Sequence, residues 1–189
     1  MRLSRGITAT IGVAALAVGV AQTAPAVATP RAAGSGTGWH WVHEGWKPAP
    51  QGDLTLPAAR YCGTFDLKLS AVTQDVRGKV LSRWDNGTPK DTFYSGPLTT
   101  RAENLTTGKA KNYDLGGEAL ETDYPTGNLQ TYRMFGPVGI GMPAGASKGL
   151  PAGYYAVDGY HVVRFNADNT ERTLTRSYGT ETDICAAVR

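Results

Sequence analysis

Residues 145–149 read Gly-Ala-Ser-Lys-Gly and fit the G-x-S-x-G pattern of a nucleophile elbow. Such an elbow holds its serine on a strained turn between a strand and a helix, so that the hydroxyl projects free for attack. Pro143 before the pattern and Pro151 after it leave no room for that helix. Ser147 and Lys148 are also neighbours in a flexible stretch, which gives a Ser-Lys dyad no orientation. A Gly-, Ala- and Ser-rich loop is the better reading.

The stretch Trp39-His40-Trp41-Val42-His43-Glu44-Gly45-Trp46 holds three of the four Trp and two of the three His. His40, His43 and Glu44 have the donor types of a zinc or copper site. Such sites need a third or fourth ligand from elsewhere, and His161 is the remaining histidine. No metal and no cofactor is therefore expected. Trp39, Trp41 and Trp46 suit stacking on a sugar or aromatic ligand, or burial that anchors the segment; burial is the default for side chains this large.

Acidic pairs offer a third chemistry. Glu118 with Glu121, or Asp114 with Glu118, have the types a glycosidase uses, but hydrolysis needs two carboxyls set at a defined separation across a cleft. Asp183, beside Ile184 and Cys185, reads as local support at a strand end. Tyr154, Tyr155, Tyr160 and Tyr178 suit a core or a cavity wall. Asn86-Gly87-Thr88 and Asn104-Leu105-Thr106 match the N-glycosylation pattern, and turn formation explains both. No catalytic residue is assigned.

The elements that must position these residues are strands. Phe65, Leu67 and Leu69 alternate with Thr64, Asp66 and Lys68, a period of two that sends one set to a core and the other to solvent. Residues 79–84, 98–106, 112–124, 129–135, 138–142, 154–165 and 172–178 continue in that style. Asn86-Gly87, Thr107-Gly108, residues 125–128 and residues 166–170 are turn signals, and Gly116-Gly117 marks a bulge or sharp bend. No amphipathic helix is evident. About seven to nine short strands predict an all-β fold, a single antiparallel barrel or sandwich, with the barrel slightly preferred.

Residues 1–28 read as a secretory signal peptide. A basic start with Arg2 and Arg5 precedes an uncharged apolar run over residues 7–20, and Ala26-Val27-Ala28 supplies a small-x-small cleavage site. The run is shorter than the about 20 apolar residues a spanning helix needs, so no stable membrane anchor is expected after cleavage. Loss of the two leader arginines takes the net charge from +3 to +1. The remaining basic residues are scattered among the acidic ones, which argues against a nucleic-acid partner.

Residues 29–38 then form a flexible linker, 39–60 a Trp- and Pro-rich irregular segment, and 61–189 the β domain. In an oxidising compartment Cys62 and Cys185 are expected to pair, the alternative being two free buried thiols. A loop that long implies a stabilisation of about 5 kcal/mol as an upper figure.

Cys62-Gly63 at the head of an alternating strand, the turn at residues 104–109, Phe135-Gly136-Pro137, Phe165-Asn166-Ala167-Asp168 and the ending at residues 179–187 occur in that order. Together they resemble a group of secreted actinobacterial all-β proteins with a Cys-Gly start and an Asp-hydrophobic-Cys-Ala end. The resemblance spans about residues 61–188 and implies an exported all-β domain without an assigned activity. The function expected is an extracellular binding or surface-interaction module, taking a small molecule, a glycan or a protein. The alternative is a secreted hydrolase acting on an extracellular polymer through acidic residues.

Overall fold

The structure is a computed structural model and describes residues 38–189. The expected signal peptide (residues 1–28), and all but the end of the expected linker, lie outside the described residues.

The described residues form fourteen strands and a short closing helix. In order the strands are β1 (Trp39–Trp41), β2 (Lys47–Pro48), β3 (Leu54–Leu56), β4 (Leu67–Gln74), β5 (Arg77–Trp84), β6 (Pro89–Ser95) and β7 (Leu98–Asn104). They continue as β8 (Ala110–Asp114), β9 (Glu118–Asp123), β10 (Leu129–Phe135), β11 (Val138–Met142), β12 (Ser147–Lys148), β13 (Gly153–Phe165) and β14 (Arg172–Asp183), followed by α1 (Ile184–Val188).

All-β holds, but the barrel and the seven to nine strands do not. A ten-stranded sheet runs β1-β5-β6-β9-β10-β13-β14-β12, with β2 also on β5 and β11 on β13, and a four-stranded sheet runs β3-β4-β7-β8. Both sheets are open. The pairings are antiparallel except β12 with β14.

The reason is that the described chain changes sheet four times, between β2 and β3, β4 and β5, β6 and β7, and β8 and β9. The last three crossovers lie side by side: Asp75 N donates to Pro97 O (3.0 Å) and Leu115 N to Leu98 O (2.8 Å). The close approach demands glycine. Gly96 adopts φ +136° against the Asp75 backbone, and a Cβ on Gly116 would meet Leu98 N at 2.7 Å. Consecutive hairpins are therefore dealt to different sheets, and no single sheet can close on itself.

Two apolar clusters hold the fold. The alternation at the start of the domain is realised: Phe65, Leu67 and Leu69 are buried, and with Ala102 and Tyr113 they pack against Ile184, Cys185 and Val188 of α1. The second cluster, Met134, Ile140, Met142, Val157, Val163 and Phe165 among its members, lies within the larger sheet. Each fully buried aliphatic side chain of this kind is worth about 1.5–3 kcal/mol.

The ending over residues 184–188 is helical. Asp183 caps it, its Oδ1 accepting from Ala186 N at 3.0 Å, which is the local work expected of that residue. Cys62 and Cys185 form a disulfide across 123 residues. Asn104 Nδ2 also donates to Val188 O (3.1 Å), fastening the helix to the smaller sheet.

Residues 39–60, expected to be irregular, contribute strands to both sheets. β1 and β2 add to β5, and β3 adds to β4. Between them, Gln51 N donates to Gln74 Oε1 (2.6 Å) and Gln74 Nε2 to Gln51 O (3.1 Å). The segment is thus a strap from the edge of one sheet to the edge of the other.

Candidate functional site

The two sheets enclose a cavity of about 250 Å³. The smaller sheet lines it with Leu69, Ser70, Ala71, Leu98 and Thr100; the larger sheet faces them with Tyr94, Ala119, Glu121, Tyr132 and Tyr154. Gln51, Gly52 and Leu54 of the strap, all exposed, form its outer side. Its walls combine apolar and polar side chains in similar measure.

Strand register accounts for the polar cluster. Glu121 on β9 stands opposite Tyr132 on β10 and Thr92 on β6, while Tyr94 stands opposite Ala119, two residues along the same face. Tyr154 reaches the cavity from β13, and its hydroxyl occupies the place a side chain at Gly139 would take.

The electrostatics single out Glu121. Burial pushes its carboxyl up to about 7, the nearby Asp123 adds to the effect, and a hydrogen bond with Tyr94 works against it. No cation contributes to that balance. Burial raises the phenols as well: Tyr94 and Tyr132 lie well above their ordinary range, with the Glu121 charge adding in both, and Tyr154 is pushed up to about 12. The three rings are neutral at physiological pH, and the acid that shares the cavity with them is held well above the usual carboxylate range.

On the opposite face of the same strands a second acid behaves differently. Burial also opposes ionisation of Asp91, but hydrogen bonds from Lys90 (2.7 Å), Ser82 (2.6 Å) and Thr122 (2.8 Å) outweigh it and hold the carboxyl below its ordinary value. Its partners make Asp91 a structural anion, a satisfaction Glu121 lacks.

The candidates named from sequence are dispersed. Trp39, Trp41 and Trp46 lie on the larger sheet's edge, away from the cavity, and are 43%, 65% and 46% exposed. Trp39 meets Trp41 edge-on (5.3 Å between ring centroids) and carries the Lys90 ammonium 4.4 Å over its ring, while Trp46 meets Phe93 edge-on at 6.0 Å. Glu44 is engaged by Lys47 (2.8 Å) and Arg83 (2.7 Å), and His40 lies 3.5 Å from Asp85. Among the described residues no three His, Cys, Asp or Glu are grouped to hold a metal.

The paired acids do not converge either. Glu118 and Glu121 project from opposite faces of β9, and Asp114 belongs to the other sheet. Ser147 lies in β12 beside β14, its Oγ buried without a hydrogen-bond partner, so no base activates it. His161 is fully buried, with Nε2 3.1 Å from Glu181 and Nδ1 unpartnered, and it does not line the cavity. Asn86 and Asn104 each accept backbone N–H bonds in their own turns.

Sequence reasoning treated Tyr154, Tyr155, Tyr160 and Tyr178 together, and the structure separates them. Tyr154 lines the cavity, Tyr155 is core, and Tyr160 and Tyr178 join Phe135 in a cross-strand aromatic row with centroids 5.2 and 6.5 Å apart. Tyr94 and Tyr132 were missed. β9 offered no signal, because its apolar Ala119 and Leu120 fall on opposite faces and leave no alternation to mark Glu121.

No family model, curated protein or solved structure matches the chain.

Proposed function

We propose that this protein is an exported binding module that holds a small molecule in the cavity between its two sheets. The supporting observation is the cavity itself, with walls part apolar and part polar and one poorly satisfied carboxyl that lines it together with Tyr94, Tyr132 and Tyr154. Export rests on the leader-like residues 1–28 and on the Cys62–Cys185 bond, which belongs to an oxidising compartment.

A hydrolase would have use for an acid titrating near 7. It would also need a second carboxyl or an activated nucleophile beside it. Among the described residues Glu121 is the one acid lining the cavity, and the favoured reading is binding.

The test is a thermal-shift screen of the mature protein against a panel of small organic molecules, repeated on Ala71→Phe, which fills the cavity. A guest of the native state raises the melting temperature. The reading expects hits that vanish in the folded variant. Hits that survive in it place binding elsewhere, and a panel without hits contradicts the reading.

A further inference from the structure

We propose that the guest is a small organic ammonium ion, with Glu121 as its counter-charge and the rings of Tyr94, Tyr132 and Tyr154 as its wall. The inference rests on the binding reading above and names the chemistry of the same cavity.

Glu121 is the starting point. A carboxyl taken out of water is stabilised by a cation or by several donors. Among the described residues Glu121 has one side-chain hydrogen-bonding neighbour, Tyr94, and a repelling one, Asp123. A guest without donors or positive charge leaves that deficit in place and an anion deepens it. A cation removes it.

The walls decide which cation. Calcium or magnesium requires six or more oxygen ligands, several of them charged or carbonyl. Here one carboxylate shares the cavity with phenols held in their neutral form, and the rest of the wall sets Leu69, Leu98, Leu115 and Val138 beside the neutral Gln51, Ser70 and Thr100. An alkylated ammonium is weakly hydrated, tolerates apolar contact, and is attracted by the π-faces of aromatic rings as well as by the carboxylate. Neutral tyrosines are the form that supplies that wall.

Binding is tied to pH through Glu121. Around it stand Tyr94 from β6, Tyr132 from β10, Tyr154 from β13 and Asp123 on its own strand, while the smaller sheet presents Ser70 and Thr100, which do not titrate. The phenols stay protonated throughout the neutral range; Asp123, pushed up to about 6, and Glu121, pushed up to about 7, both gain charge between pH 6 and pH 8, and replacing Glu121 separates its share. A carboxyl of that value makes the cation bind about tenfold more weakly at pH 6 than at pH 8.

The experiment is a calorimetric titration of the mature protein with choline and with its neutral isostere, in which a quaternary carbon replaces the nitrogen. Both are measured at pH 6 and pH 8, on wild type and on Glu121→Gln. The expected result is choline favoured at least tenfold at pH 8, the preference shrinking about tenfold at pH 6 and lost in the variant. Equal affinity for the two probes in wild type overturns the cation and leaves the binding reading standing. Choline binding that persists unchanged in Glu121→Gln overturns the assigned counter-charge. No binding of either probe overturns the inference, and the wider panel then judges the binding reading independently.

Discussion

Glu121 on β9 and Tyr132 on β10 are direct register partners, and both line the cavity between the sheets. The pair sets an ionisable acid against an aromatic ring in a space of about 250 Å³, with Tyr94 supplying the hydrogen bond. The cost of burying the acid can be measured.

Glu121 is raised from 4.5 to about 7 on folding, so the folded chain holds that proton more tightly than the unfolded one. The stability this contributes is full below about pH 4.5 and is lost as pH rises through about 7. Glu121→Gln is therefore expected to be more stable than wild type by about 1–3 kcal/mol at pH 8, with little difference at pH 4. Urea unfolding at the two pH values checks this, and a gap independent of pH would remove the titration from the account.

Reduction of Cys62–Cys185 frees a loop spanning 123 residues. Chain entropy predicts a loss of about 2–5 kcal/mol. The Cys62→Ser, Cys185→Ser double variant should show the same fall in urea midpoint as the reduced wild type. An unchanged midpoint would mean that Asn104, Lys109 and the packing of α1 fasten the C-terminus by themselves.

Gly96→Ala tests the crossovers that keep the sheets open. Its φ of +136° and its contact with the Asp75 backbone leave no room for a Cβ. The substitution is expected to cost about 1–3 kcal/mol or more, with the crossover β6–β7 disturbed. The same change at Gly45, which has nothing within 4 Å of an added Cβ, should be close to neutral.

Burial separates the core from the Trp edge. Leu67→Ala removes a fully buried side chain and should cost about 2–5 kcal/mol. Trp41→Ala removes a ring that is 65% exposed and should cost less than about 1 kcal/mol. A large loss at Trp41 would show that the edge-on contact with Trp39 is a structural anchor.

Local physics was legible in the sequence. Alternation placed Leu67 and Leu69 in the core, Asn86-Gly87 made the turn after β5, and Gly116-Gly117 marked the bend where the chain changes sheet. Which sheet each hairpin joins was not legible, because backbone packing between crossovers far apart in sequence decides it. Helix α1 escaped because five residues are too few to display a 3.6 period. The cavity escaped for a related reason: Tyr94, Glu121, Tyr132 and Tyr154 come from four strands, and no spacing connects them. Reading acids as neighbours paired Glu118 with Glu121, which the strand pleat sends to opposite faces.

The central claim is that the space between the sheets is where the protein binds. The most direct measurement is NMR of tyrosine-labelled mature protein, titrated with choline at pH 8. The account predicts that the ring signals of Tyr94, Tyr132 and Tyr154 shift together and saturate, while those of Tyr113 and Tyr178 stay in place. Shifts confined to Tyr160 and Tyr178, or an unmoved set of cavity rings at saturating ligand, would contradict it.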